Sequence, residues 1–299
     1  VNRIIGSLLL LLALQCGLVL AVFWPSLESQ RTPRESLAPL ALERVDVIHV
    51  GDEFDNETVL SRAGEHWILP ELDNLPADAA MVSKLLEAIA AGDGAWPVAD
   101  SVAARQRFRV ASYHYRRRIQ LLQGDDIVGT IFLGTSPGFR KIYGRNETQD
   151  AIYSIPFNAH DAPGNSGAWL DRKLLQTRAP LGIVADGYSL QREGDAWLSG
   201  IGHAPDQREL EALLDALRNL QIDGLASEDD QRDLAEAEAD LVLEVESLAG
   251  TVTLELLRRG DSHFVKSSEY PFYFTISADD YDRLAGIDVG AISGETEPR

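Results

Sequence analysis

The sequence predicts an α+β protein: an N-terminal transmembrane helix, then two duplicated units, each a mainly antiparallel sheet with one main helix. Three observations carry that expectation. Short stretches of alternating apolar residues recur between Gly, Asp and Asn turns, which is the period-two pattern of half-buried strands. Two longer stretches place apolar residues at helical spacing. The chain also repeats itself, because LSRAGEHW (Leu60 to Trp67) returns as LQREGDAW (Leu190 to Trp197), so that Arg62, Gly64 and Trp67 recur as Arg192, Gly194 and Trp197. Further echoes follow in KLLEAIA from Lys84 and ALLDALR from Ala212, QLLQGD from Gln120 and ELLRRGD from Glu255, and AIYSI from Ala151 and PFYFTI from Pro271. A spacing of roughly 130 residues is too long for a solenoid and points to duplication of a whole folding unit.

Taken in order, the elements begin with an apolar run from Ile4 to Trp24, interrupted by Ser7, Gln15 and small residues. A run of about 20 residues crosses a hydrocarbon core as a helix. A cleaved signal peptide has a shorter apolar region and small residues before its cut, whereas this run ends on Phe23-Trp24-Pro25. Cys16 is a poor lipoprotein cysteine, since Gln15 precedes it and the apolar run continues beyond it. Residues 1–25 therefore read as an uncleaved signal anchor, with Trp24 at the membrane interface. Cys16 is also the only cysteine, so the rest of the chain has no thiol to mispair in an oxidising compartment. The expected location is the bacterial inner membrane, single-pass, with the bulk in the periplasm.

Residues 26–44 read as a linker and 45–157 as the first α+β unit. Val45 to Val50 alternates as a strand, Thr58 to Leu69 is its hairpin partner, and Asp78 caps a helix whose Met81, Leu85, Leu86 and Ile89 share one face. Arg107 to Tyr115, Arg118 to Gln123, Asp126 to Leu133 and Ala151 to Ile155 read as strands, separated by turns such as Gly124-Asp125. Residues 158–180 form the connector, and 181–288 repeat the order with a helix over Asp206 to Leu220. Between this helix and the later strands lies an acidic stretch, SEDDQRDLAEAEAD from Ser227, which reads as a solvated helix or loop. Residues 289–299 are expected to be a disordered tail.

Charge and motif inventory narrow the chemistry. The net charge is −20, from 27 Lys and Arg against 47 Asp and Glu, which disfavours nucleic-acid binding. No metal and no cofactor is expected, because the chain lacks CxxC, His-x-x-His spacing, a phosphate-cradling Gly loop and a calcium-loop pattern. Gly164-Asn-Ser-Gly167 resembles the nucleophile loop of trypsin-like serine proteases, making Ser166 the one catalytic alternative, as an envelope serine hydrolase. His49, His66, His114 and His160 stand in none of that family's contexts, and four-residue Gly/Asn/Ser strings are ordinary loop chemistry. Arg105, Arg107 and Arg109 alternate as on one strand face, with Arg116 and Arg118 just beyond. Together with Arg140, Lys141 and Arg145 they concentrate positive charge in the first unit and form a candidate partner-docking face. The competing reading is a sheet face whose arginines pair with the excess carboxylates. If the face docks, the acidic second unit of a neighbouring copy is one partner, making a homo-oligomer possible. Trp67, Trp197 and Trp169 read as core aromatics.

The order of these motifs resembles a family of bacterial proteins called domain of unknown function 4340. The resemblance runs through Arg62, Gly64 and Trp67, then Leu85 and Leu86, then Leu133-Gly134 and Tyr153, then Trp169, Asp171 and Leu174, over roughly Val45 to Ile276. It implies a single-span envelope protein found alongside components of ABC-type transport systems, with no catalytic residues to carry over. The expected function is a non-enzymatic, membrane-anchored auxiliary or scaffold subunit whose partners are membrane transport or envelope proteins.

Overall fold

The computed structural model describes residues 12, 15, 17, 37, 38, 42–92 and 96–294. Apart from Leu12, Gln15 and Gly17, the expected anchor over 1–25 lies outside the described residues, as does the end of the tail. No helix among the described residues is long and apolar enough to cross a membrane. The folded part is α+β: a few helices accompany two large antiparallel sheets.

The first strands are β1 (Val47–Asp52), β2 (Glu57–Ala63), β3 (His66–Leu69) and β4 (Leu75–Pro76), a meander in which each pairs antiparallel with the next. Gly64 turns the β2–β3 hairpin at φ +65°, a conformation a Cβ would strain, and places Arg62 opposite Trp67. The Arg62 guanidinium lies 5.1 Å from the Trp67 ring centre. Helix α1 (Ala79–Ala90) starts where Asp78 accepts the N–H groups of Ala80 and Met81 at 2.8 and 3.1 Å, and it buries Val82, Leu85 and Ile89.

The segment expected to be a strand over Arg107 to Tyr115 is not one. Ser101 accepts the Ala104 N–H at 3.2 Å and caps helix α2 (Val102–Arg107), so local capping and the Ala103-Ala104 pair override the alternation of the arginines. A two-stranded ribbon follows, β5 (Val110–Ala111) with β6 (His114–Tyr115). Then β7 (Arg117–Gln123), β8 (Asp126–Leu133), β9 (Ile142–Asn146) and β10 (Ile152–Ile155) form a four-strand meander.

The rest of the chain runs the same course. It continues as β11 (Pro180–Ala185), β12 (Tyr188–Glu193) and β13 (Ala196–Ser199), a second three-strand meander with Gly194 at φ +63° in the corresponding turn. Helix α3 (Gln207–Asn219) is capped by Asp206, and β14 (Ile222–Leu225) follows it. The acidic segment becomes α4 (Glu228–Ala235), with Glu228, Asp229 and Asp230 in its first turn, where the helix dipole favours them, and Leu234 buried. A second four-strand meander of β15 (Leu241–Ser247), β16 (Gly250–Arg259), β17 (Ser262–Ser267) and β18 (Tyr273–Ile276) follows, then α5 (Ala278–Ala285) and α6 (Val289–Ile292). One echo is out of step: QLLQGD closes the first hairpin of its meander, β7–β8, whereas ELLRRGD closes the second of its own, β16–β17.

The compact units do not follow the repeats. One comprises Val1–Val45 with Leu85–Asp161, the other Asp46–Lys84 with Ala162–Arg299. In the first, Ala104, Val110, Phe132 and Ile152 form a core, and Leu37, from the expected linker, is fully buried and accepts a bond from the Asn146 side chain at 3.0 Å. In the second, the expected connector 158–180 is folded in from Ala162 onward. Asp78 N–H donates to Trp169 O at 2.7 Å, Asp171 N–H to Pro76 O at 3.0 Å and Thr177 N–H to Leu217 O at 3.1 Å, which fastens it to β4 and α3. The expected disordered tail is helical over Val289–Ile292, because Asp288 caps it and Ile292 is fully buried.

Burial also sets the titration of Tyr188, whose hydroxyl is pushed up to about 12 by desolvation and has no hydrogen-bond partner among the described residues. A raised pKa means that this stability is held below the unfolded value near 10 and lost as pH rises through the folded one. Tyr188→Phe is therefore expected to match or exceed the parent by up to about 1 kcal/mol near neutrality. It should also escape a loss of roughly 1 to 2 kcal/mol that the parent suffers by about pH 11. Urea titrations of both proteins at the two pH values check this.

Candidate functional site

The basic residues gather at one end of the β7–β10 meander. Arg116 N–H donates to Leu133 O at 2.9 Å, Thr135 N–H to Phe108 O at 2.8 Å and Tyr143 N–H to Thr135 O at 3.0 Å. These bonds bring the start of β7, the end of β8, the start of β9 and the residues after α2 together. Arg107, Arg109, Arg116, Arg140 and Lys141 consequently share that end, while Asp125, Asp126, Glu147 and Asp150 lie in or next to the turns at the other. Gly134 makes the close approach possible, since a Cβ there would fall 1.9 Å from Phe108 O.

The arginines divide by role. Arg107 lies over the Phe108 ring at 4.5 Å and Arg140 over Phe139 at 5.1 Å, and neither they nor Lys141 has an ion pair among the described residues. Phe108 stacks in turn on Tyr143, with ring centres 4.0 Å apart. Phe139 is 87 % exposed, so aromatic surface accompanies the cations, the composition favoured at protein interfaces. Arg109 takes φ +56° just after α2. Arg105 turns away from this group to pair with Asp150.

Cross-strand register explains the remaining two. Arg118 stands opposite Phe132, and Phe132 opposite Arg145, so these three side chains share one face of the sheet. Arg145 is buried: its Nε donates to Val110 O at 2.7 Å, and its Nη1 to the carbonyls of Asn146, Glu147 and Gln149 at 2.9, 3.1 and 2.8 Å. Burial, and then the nearby Arg105, lowers its pKa from the usual guanidinium value, partly offset by Glu147 and Asp150. Arg118 is half-buried on this covered face. Of the five arginines that the sequence nominated, Arg107, Arg109 and Arg116 belong to the basic end, whereas Arg105 and Arg118 are held within the fold. Phe139 is a docking-face residue that its sequence context signals, since a Phe next to Arg140-Lys141 after Ser136-Pro137-Gly138 is a cue to an exposed aromatic.

Ser166 opens a 3-10 turn, Ser166–Trp169, begun by Asn165, whose side chain accepts the Ala168 N–H at 3.0 Å. Its hydroxyl donates to the Glu71 carboxylate and lies 3.5 Å from Thr58 Oγ1. Gly164 packs against Asp52 and the Asn56 carbonyl, where a Cβ would meet both at 3.1 Å. The histidine nearest in chain order to Ser166 is His160, outside this unit. Ser166 thus ties its loop to β2 and the residues after β3. Ser166→Ala is expected to cost about 1 kcal/mol or less, since the Glu71 carboxylate stays hydrated. It should also leave labelling of the protein by a fluorophosphonate unchanged. Labelling that disappears in this variant would instead give Ser166 the nucleophile's role.

Each repeat residue has a structural partner. Arg192 stands opposite Trp197 as Arg62 does opposite Trp67, and its Nε donates to Gly194 O at 3.1 Å. Trp169 is fully buried, with Nε1 donating to Pro163 O at 2.8 Å, and Asp171 caps the turn after it by accepting the Lys173 N–H at 2.9 Å. Among the described residues no three His, Cys, Asp or Glu side chains gather as a metal-binding group.

A family model described as Domain of unknown function (DUF4340) matches residues 67–241, from Trp67 through α1, the basic end and Trp169 to the start of β15. No curated protein and no solved structure matches the chain. The family match spans more than half of the sequence, and the chain belongs to the DUF4340 family.

Proposed function

We propose that this chain is a non-enzymatic, single-pass protein of the bacterial inner membrane, held by residues 1–25 with its folded bulk in the periplasm. In this reading it serves as an auxiliary or scaffold subunit of an ABC-type transport or envelope complex. The observation that carries the reading is the basic end of the β7–β10 meander. There Arg107, Arg140 and Lys141 share one end of the meander with exposed Phe139 in a protein of net charge −20, which is a surface suited to an acidic protein partner. The apolar run from Ile4 to Trp24 supports attachment, and the motifs shared with the DUF4340 family support the envelope setting. The matched Arg-Gly-Trp hairpins and the recurring element order support tandem duplication of a scaffold unit.

Crosslinking in intact membranes, followed by identification of everything joined to this chain, tests the function. The expected result is resistance of the chain to alkaline extraction and recovery of a membrane transport component. Release into the soluble fraction, or recovery of no such component where known complexes are captured, would overturn it.

A further inference from the structure

The second unit carries a surface of opposite character. In the β15–β18 meander the residues facing one way are Leu243, Val245, Leu254 and Leu256, all buried. Their neighbours face the other way, where Glu244 stands opposite Thr253, Glu246 opposite Thr251 and Val242 opposite Glu255. Glu244, Glu246 and Val242 are exposed, and Val184 of β11, opposite Glu244, is 49 % exposed. Helix α4 packs through Leu234 on Leu257, Phe264 and Tyr273 at the far side of this face, Glu244 and Glu246 are exposed, and Glu255 between them and the helix is half-buried. None of the three glutamates has an ion pair among the described residues. Lys266, the cation nearest in register, sits over the Tyr273 ring at 4.9 Å.

We infer that the basic end of one copy docks on this glutamate-bearing sheet face of a second copy, which builds a head-to-tail assembly. This rests on the reading of the basic end as a protein-docking surface and names its occupant. Charge complementarity selects the occupant: three cations flanked by aromatics match three carboxylates flanked by valine and threonine. An anionic lipid surface is the weaker fit, because the remainder of a chain of net charge −20 is repelled by it. The two surfaces are different patches, so the contact is heterologous, and an open assembly keeps one free basic end at one terminus and one free glutamate face at the other. Copies anchored in one membrane also meet at high effective concentration.

The test uses the full chain in detergent, with mass measured by light scattering. Association is expected to weaken at least roughly tenfold as salt rises from about 0.05 M to about 0.5 M. A variant with Arg107→Glu, Arg140→Glu and Lys141→Glu should be monomeric at low salt. So should one with Glu244→Arg, Glu246→Arg and Glu255→Arg, each with unchanged circular dichroism. Mixing the two restores both complementary contacts and should restore assembly, a result that misfolding cannot produce. A mass indifferent to salt, or a mixture that stays monomeric, would overturn the inference. Charge reversal that changes only binding to vesicles of anionic phospholipid would also overturn it. If the docking reading itself is wrong, a crosslinker placed at the basic end captures no protein of any kind; if only this inference is wrong, it captures a protein other than this chain.

Discussion

Replacing Arg145 by alanine is expected to destabilise the protein by about 2 to 5 kcal/mol, because each buried carbonyl left without its donor costs about 1 to 3 kcal/mol. Arg145 is 4 % exposed, and one guanidinium serves the carbonyls of Val110, Asn146, Glu147 and Gln149. Without it the Val110 and Asn146 acceptors are left buried without this donor, and the β9–β10 turn loses its tie to β5. The Phe132 ring, 5.3 Å beneath the guanidinium carbon, loses its cover as well. Arg145→Lys keeps the charge, but a single ammonium cannot span Val110 and the Asn146–Gln149 turn together, so roughly half the loss should remain. Urea unfolding of both variants measures this. Hydrogen exchange should accelerate first in residues 146–151 and around Val110, and equal stability of alanine variant and parent would contradict the assignment.

Trp169→Ala is expected to cost a similar amount, about 3 to 5 kcal/mol, because it empties the space of a fully buried indole. The backbone carbonyl of Trp169 also accepts the Asp78 N–H at the start of α1, so a loosened connector weakens the entry of that helix. Trp169→Phe retains most of the volume but leaves the Pro163 carbonyl, 2.8 Å from the indole nitrogen, without its donor. Its cost should be smaller, about 1 to 3 kcal/mol. Urea midpoints in the order parent, phenylalanine, alanine check the account, and a phenylalanine variant as unstable as alanine would assign the stability to the hydrogen bond instead of the packing.

Strong local signals made much of this fold legible. Asp78 and Asp206 marked helix starts whose N–H groups they accept, whereas Gly64 and Gly194, legible only as repeated motif residues, sit in hairpin turns at positive φ. Alternation marked β7 and β8. The failures have two causes, competition between patterns of similar strength and contacts that leave no local signal. Arg105, Arg107 and Arg109 alternate as in a strand, yet Ser101 caps a helix through the first two. Residues 289–292 are a short apolar run ahead of a Ser- and Glu-rich end, too short to give a periodic signal, and the Asp288 cap and the burial of Ile292 make their helix worthwhile. Leu37 shows a related limit in the linker: scattered leucines in a Ser- and Pro-rich stretch give no periodic signal, yet Leu37 is fully buried and packs so close to Gly92 that a Cβ there would fall 2.7 Å from it. Partition into units was also hidden, since the bonds from Trp169 and Asp171 to Asp78 and Pro76 join residues far apart in sequence.

The basic end was half legible for a related reason. Composition gave the concentration of arginine, whereas its division into surface and interior depends on register, which sets Arg118 and Arg145 on either side of Phe132. Which arginines are available to a partner follows from that division. It puts the account's weight on Arg107, Arg140 and Lys141.

Photo-crosslinking in intact membranes from position 140, with position 125 at the opposite end of the same meander as reference, tests the central claim most directly. The account predicts protein adducts from position 140 that diminish at high salt, and few or none from position 125. Adducts equal at both ends, or absent from position 140 while the chain is membrane-bound, would contradict it.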